Sequence, residues 1–421
     1  MLLKLARKGL LELISANFMM QFVGFGLLVL LPRFVSEAEV GQIKVLQTYA
    51  DLLVIVAGLG MNTAVLKLCS ERRPVEELRA MLRFSVTRTF GFSLALVLIL
   101  TAVVRSGVLT GDPVVLRWLP IYALIVPFSA VTLVAVAYLQ ARKDIARMAR
   151  AQVLVRLQSV ALILFATWQF GLAGFVWASL AAFVLALWPF VRIIGLEFLR
   201  SAHIKADAAF RRIAGYSVLG NGMNTLGKYA DIYILGLFAL DATELGYYSL
   251  ATIFVIPASV ITSSIQTIVT PYLSEGSIDR AWFQKNLIKT QAQTIGVAII
   301  AALGARAVAT ATVHVLYDPG YLATLPYLDI LLVFFVFRSA YSVTAAGHIA
   351  LGLTKYNFVA STIMAVLALT LTYLALPRAG YEGVAWAKVI TGALMIPIYW
   401  LLARRAIRVA TPVAEQPSGT D

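Results

Sequence analysis

The length of the apolar blocks restricts this chain more than any other feature. No charged residue occurs between Arg156 and Arg192, and none between Lys355 and Arg378. Most other apolar stretches run near twenty residues, the length a helix needs to cross a hydrocarbon core of about 30 Å. Backbone groups in lipid must be satisfied internally, so the spanning elements are helices or a closed barrel. The ten-residue alternation of a barrel strand is absent, which leaves helices. Composition agrees: 60% of the residues are hydrophobic and 13% charged, against about 25% charged in soluble domains.

The hydropathy pattern predicts an all-α polytopic membrane protein with about twelve spans, at 10–31, 43–68, 82–107, 114–140, 149–169, 172–194, 213–240, 246–271, 285–310, 321–350, 356–376 and 380–403. Only Phe170 and Gly171 separate the fifth from the sixth, with Gly171 and Gly174 permitting a tight turn. The first block follows Lys4, Arg7 and Lys8 but is too long for a cleaved signal core, so it reads as a retained span. With the N-terminus placed in the cytoplasm, 23 of the 35 Lys and Arg residues fall in cytoplasmic segments, five on the far side and seven within spans. That bias predicts both termini on the cytoplasmic side and an even number of spans. It also accounts for the net charge of +14 without nucleic acid as a partner.

The chain reads as a duplication. "SEAEVGQ" at 36–42 resembles "DATELGY" at 241–247, and the apolar blocks after them end in "CSE" (69–71) and "LSE" (273–275). The expected organisation is an N-terminal six-helix lobe at 1–195, a cytoplasmic linker at 196–212, a C-terminal six-helix lobe at 213–405 and a short tail at 406–421. Six spans per half give the lobes the same orientation and a pseudo-symmetric arrangement about a central cavity.

No enzymatic constellation is present. There is no phosphate-binding Gly-rich loop followed by Lys-Ser/Thr, no metal-ligand spacing of Cys and His, and no His-Glu-x-x-His. His203, His314 and His348 are isolated, and Cys69 is the single cysteine, read as an inert thiol. The informative residues are the polar ones within spans. A charge at the bilayer centre costs about 2.5–3.5 kcal/mol on insertion scales, so Lys44, Lys67, Arg88, Arg156, Lys228, Arg338 and Lys388 need protein, water or an interface. Lys44, Lys67 and Arg88 lie near span ends, within snorkelling reach; Lys228 and Arg338 lie near mid-span. Span seven carries a stripe of Asn221, Asn224, Thr225, Lys228 and Asp231 at helical spacing. Span two carries Lys44, Thr48 and Asp51, span one Asn17, Gln21 and Gly24, span five Gln152, Arg156 and Ser159, and span ten Arg338, Tyr341 and Ser342. Interhelical hydrogen bonding explains the hydroxyls as readily as a cavity does; the charges favour the cavity. Lys228 and Asp231 can pair at i,i+3. Bases outnumber the deep acids Asp51, Asp231 and Asp329, which suits an anionic substrate, phosphate above all. Pro127, Pro189, Pro257 and Pro397 are expected to kink their spans.

With these motifs assembled, the chain resembles the polysaccharide or O-antigen type lipid-linked oligosaccharide flippases of the multidrug/oligosaccharidyl-lipid/polysaccharide exporter superfamily. The segments that carry the likeness are "DIYILGLF" (231–238), "ELGYYSLATIFVIP" (244–257), "TPYLSEG" (270–276), "EVGQ" (39–42) and "GLGMNTAVLK" (58–67). Lys67 stands where the family commonly has Arg. The resemblance implies two lobes around a cationic cavity lined by spans one, two, seven and eight. It implies export of an undecaprenyl-diphosphate-linked oligosaccharide from the cytoplasmic to the periplasmic leaflet of a bacterial inner membrane by alternating access, in concert with other polysaccharide biosynthesis proteins. On that reading Lys228, Arg338, Arg156 and Lys44 meet the diphosphate and sugar acids, with Asn221, Asn224, Asn17 and Gln21 beside them. Asp51 and Asp231 are then candidate proton or sodium sites, and no cofactor or metal is called for. A cation-coupled multidrug antiporter of the same superfamily is the alternative, which the excess of bases disfavours. A membrane glycan ligase or polymerase is remote, because no outer loop exceeds about fourteen residues.

Overall fold

A computed structural model describes residues 23–71, 73–104, 109–202, 208–238, 241–275, 279–351 and 353–409. The described residues fall into helices and short connections, with no strand among them. Asn17, Gln21 and the tail after Val409 lie outside the described residues.

Spans two to twelve are described along most of their length, and Val23–Arg33 is the described part of span one. Span two is Glu37–Ala57, continued after a break by Met61–Leu68. Span three is Val75–Val104, and span four is bent by 45° between Pro113–Tyr122 and Ile125–Ala141. Ile145–Ile194 holds spans five and six, Ala208–Phe238 span seven, Ala242–Glu275 span eight and Arg280–Leu316 span nine. Span ten is Thr324–Ser339 plus Ser342–Ala350, and Thr354–Val409 holds spans eleven and twelve. Lipid faces are apolar and uncovered, as Leu98, Ile99, Phe165, Ile300 and Leu303 show. In water such surface would be a liability; in a bilayer it is the solvent-matched side.

The corner expected at Gly171 is present and occurs twice. Gly171 has φ 56°, ψ −139°, and Gly380, between spans eleven and twelve, has φ 56°, ψ −145°. A side chain would be strained there, so glycine lets two spans meet with no loop between them.

The described residues divide into two compact units, Met1–Ser249 and Leu250–Asp421, a division that falls inside the helix of span eight. In the first unit the basic-loop ends of spans two, three, four and seven share one core, with Met61, Val65, Leu78, Leu82, Val134 and Phe210 buried together. The segment joining spans six and seven is docked on this core: Phe198 packs against it, Arg79 pairs with Glu197 at 2.5 Å, and Arg83 donates to Ser201 O. Cys69 is buried in the same core. Burial pushes its thiol up to about 11, against the opposing pull of Arg73 and Arg142. Thiolate is the reactive form, and burial disfavours it. Cys69 is expected to resist maleimide in the folded protein and to react fully in SDS, which a mass shift measures; equal labelling in both would contradict its burial.

The far end of the first unit is built around the repeated motif. Ser36 caps span two in a capping box with Glu39, whose backbone N–H donates to Ser36 Oγ and whose Oε2 accepts from Ser36 N at 2.9 Å. Asp241 caps span eight, accepting from Thr243 N at 2.8 Å and Glu244 N at 3.3 Å. Five residues beyond each cap is a glycine, and the two glycines clasp. A Cβ on Gly41 would stand 2.7 Å from Ala242 O and 2.8 Å from Gly246 N, and a Cβ on Gly246 would overlap Glu37 O. Glu37 and Ala242 are separated by 205 residues, as are Gly41 and Gly246, so the contact is reciprocal. The loop before span four closes over this seam: Tyr49 Oη donates to Leu109 O at 2.5 Å, Thr110 Oγ1 to Gly236 O at 2.5 Å, and Gln42 Nε2 to Asp112 Oδ2 at 3.0 Å.

Candidate functional site

The polar stripes of spans two and seven converge within the first unit. Span seven is interrupted at Tyr229 (φ −114°, ψ 15°), and the ring of Tyr229 receives two lysines. Lys228 Nζ is 4.6 Å from its centroid and Lys44 Nζ, from span two, is 5.7 Å away. A ring face attracts cations through its quadrupole, yet two ammonium groups so placed also need a negative charge. Asp51, two turns along span two, supplies it: both lysines act on its carboxylate, which also takes a hydrogen bond from the Tyr229 side chain. Protein surrounds Asp51, yet its surface is exposed, as at the wall of a recess. Lys228, Asn224 and Asn221 are exposed along the same face of span seven.

A small recess opens between spans two, four and seven, on the basic-loop side of Asp51. Val54, Gly58 and Asn62 line one side and Asn221 the other. Asn221 Nδ2 donates to Ser217 Oγ at 3.2 Å, and the Ser217 and Thr63 hydroxyls bond at 2.7 Å. The Tyr229 cluster thus offers a carboxylate and two ammonium groups, and the neighbouring recess two amides among mainly apolar side chains, a set that suits an anionic head.

The remaining candidates are distributed around this cluster. The guanidinium of Arg156 lies against span one at Gly24, where a Cβ would overlap Nη2; the glycine in span one's stripe makes room for the cation of span five. Asp231 faces a different neighbourhood from Lys228. It is 2% exposed and its Oδ2 accepts from the Tyr248 hydroxyl at 2.6 Å. Lys67 is exposed at the basic-loop end with Glu71 4.0 Å away, and Arg88 lies over the Phe84 ring. Arg338 and Lys388 belong to the second unit, where Lys388 Nζ stands over Phe334. Asp329 is an exposed carboxylate that pairs with Arg306 of span nine at 2.5 Å, so its charge is already compensated. Among the described residues no three of His, Cys, Asp and Glu come together as a metal site. Tyr229 is the member of the cluster that the stripes did not mark, because it is off their spacing and joins them only where the helix breaks.

Twelve apolar spans with a cluster of charged side chains among them define the class as an all-helical polytopic membrane fold. The comparisons agree at the level of fold. The chain superimposes on the lipid II flippase MurJ in an inward closed conformation with a TM-score of 0.75, at 17% identity over 95% of this chain and 90% of that one. A multidrug resistance MATE family transporter of the MOP superfamily in an inward-facing conformation also gives 0.75, at 13% identity over 94% and 96%. A MOP superfamily transporter from Pyrococcus furiosus Vc1 (DSM3638), described as having a binding pocket of reverse polarity, gives 0.67 at 12% identity over 95% and 94%. No curated protein matches the chain significantly. The polysaccharide biosynthesis protein family model matches residues 6–277, and the chain belongs to that family.

Proposed function

We propose that this protein is a flippase that moves an undecaprenyl-diphosphate-linked oligosaccharide from the cytoplasmic to the periplasmic leaflet of a bacterial inner membrane, with both termini cytoplasmic. The observation that carries this reading is the pair of lysines from two spans facing one tyrosine ring, with a carboxylate as counter-ion. The site holds one positive charge in excess, and a diphosphate answers it. Asn221, Asn224 and the hydroxyls beyond are placed to meet the first sugar, while the prenyl chain stays in lipid. Arg156 adds a second cationic face toward span one, and Asn17, Gln21 and Arg338 are further candidate substrate contacts on the reading of the sequence. Proton or sodium coupling through Asp51 or Asp231 fits carboxylates so placed, and other polysaccharide biosynthesis proteins would supply and consume the lipid-linked glycan.

The test is deletion of the gene in its host, followed by assignment of the leaflet on which lipid-linked glycan accumulates. Cytoplasmic accumulation is expected, reversed by the wild type and poorly by Lys228→Ala. Normal glycan export with a loss of resistance to cationic drugs would overturn the reading in favour of an antiporter.

A further inference from the structure

Span ten is broken without a local cause. Its helix ends at Ser339, passes through Ala340 and Tyr341 (φ −125°, ψ 3°), and restarts at Ser342. The residues around the break, "RSAYSVT" at 338–344, contain neither proline nor glycine. A break inside a membrane strands carbonyls and N–H groups, at about 1–3 kcal/mol for each one left buried without a partner. Gln291 of span nine resolves this. Its Nε2 donates to Ser339 O at 2.7 Å, and its Oε1 accepts from Val343 N at 3.0 Å and Thr344 N at 3.3 Å. One side-chain amide therefore ends one half-helix and caps the next, and its insertion into the ladder is the cause of the break. Span nine is held in register for this by Leu287, one turn away, which packs against Gly347 of the second half-helix.

The break sits where the second unit keeps its mid-span cation. Arg338 lies in the last turn of the first half-helix, half-buried, with no hydrogen bond or ion pair among the described residues. The carbonyl end of a helix favours a cation there. Across the break its charge acts on the hydroxyls of Tyr341 and Tyr399, whose rings stack at 4.6 Å and 10°. Arg338 precedes the break and Tyr341 follows it, so the break sets how the two face each other. A continuous helix would place them at i,i+3 on one face and turn the guanidinium with it.

We propose that Gln291 is a positioning residue: by holding span ten broken, it fixes the direction in which Arg338 presents its charge. Its bearing on transport rests on the reading of Arg338 as a cation that meets the substrate diphosphate, but the geometry can be tested without that reading. In a Cys69→Ser background, Arg338→Cys in nanodiscs is treated with a small anionic methanethiosulfonate, alongside Val315→Cys, an exposed position of the same unit. Gln291→Met, which keeps the length and loses all three bonds, is expected to change the labelling rate at 338 tenfold or more and leave 315 unchanged. Gln291→Glu, which keeps the acceptor, is expected to fall between. An unchanged rate at 338 would overturn the proposal, and Gln291→Glu decides it in the same way should Gln291→Met fail to fold. The link to substrate is read from binding of an isoprenyl diphosphate. Gln291→Met and Arg338→Ala should each weaken it about tenfold, and the double variant no further than Arg338→Ala alone; additive losses would place the effect of Gln291 elsewhere. No effect of Arg338→Ala would remove the diphosphate reading of that residue, and the labelling rates would still decide the positioning.

Discussion

Gly246→Ala is expected to disable the protein although it adds one methyl group. In a helix that substitution ordinarily gains about 0.5–1 kcal/mol. Here the new Cβ would overlap the carbonyl oxygen of Glu37, a backbone atom fixed in the first turn of span two. Backbone cannot rotate aside as a side chain does, so the two helix starts must separate, at a cost of about 1–3 kcal/mol for such overpacking. That shifts an open-to-closed ratio at this end about tenfold or more toward open. Gly41→Ala should act in the same direction and more weakly, since its contacts at 2.7 and 2.8 Å are less severe. Gly91→Ala, with open space around it, is the silent control. The measurement is labelling of Lys228→Cys by a membrane-impermeant thiol reagent added outside intact cells, in the Cys69→Ser background. A large rise with Gly246→Ala and none with Gly91→Ala would identify the clasp as the outer closure. Equal labelling across the series would show that the helix starts yield without opening a path.

The second large effect concerns the charge at Tyr229, and it has an unusual sign. Two lysines and one carboxylate leave the cluster with one net positive charge. Lys228→Ala cancels that excess, and isoprenyl diphosphate binding should weaken about 10- to 100-fold, in line with about 1.5–3 kcal/mol for hydrogen bonds to charged groups. The Lys44→Ala, Lys228→Ala double variant leaves a lone carboxylate and should abolish export. Asp51→Asn does the reverse: it raises the excess to two. Binding should tighten while export falls, because a diphosphate held by two uncompensated ammonium groups leaves slowly. Binding in nanodiscs at several salt concentrations, beside export in cells, separates the two quantities. Loss of both binding and export in Asp51→Asn would show that Asp51 holds the lysines in place and is not their counter-charge.

Much of the fold was legible because membrane rules are strict. Span length and the glycine corner at 171 each follow from a single residue pattern, and the motif pair at 36–42 and 241–247 marked the two helix starts that clasp. Polar residues at helical spacing marked spans two and seven among the striped spans, and it was the family resemblance that implied these two lie together. What escaped was everything set by a partner in another helix. Tyr229 joins the lysines only because span seven breaks there, with no proline to announce it. Gln291 looks like one more polar residue in span nine until the break in span ten supplies its three partners. Asp231 shares a stripe with Lys228 by spacing, and the hydroxyl of Tyr248, seventeen residues on, takes it into the interior. Asp329 reads as an acid alone in its span, and Arg306 of span nine pairs with it.

The clasp also bears on ancestry. Glu37 and Gly41 touch Gly246 and Ala242 by the same rule in both directions, which is the mark of a two-fold contact between identical surfaces. A half-length ancestor with one such helix start could have met a second copy of itself through this patch and built the bundle as a homodimer. On that reading fusion of the genes freed each half to diverge: Lys228 and Tyr229 stand where the first half has Val23 and Gly24. The lysine cluster was then out of reach of the symmetric parent, whereas the contact between the two helix starts was inherited intact.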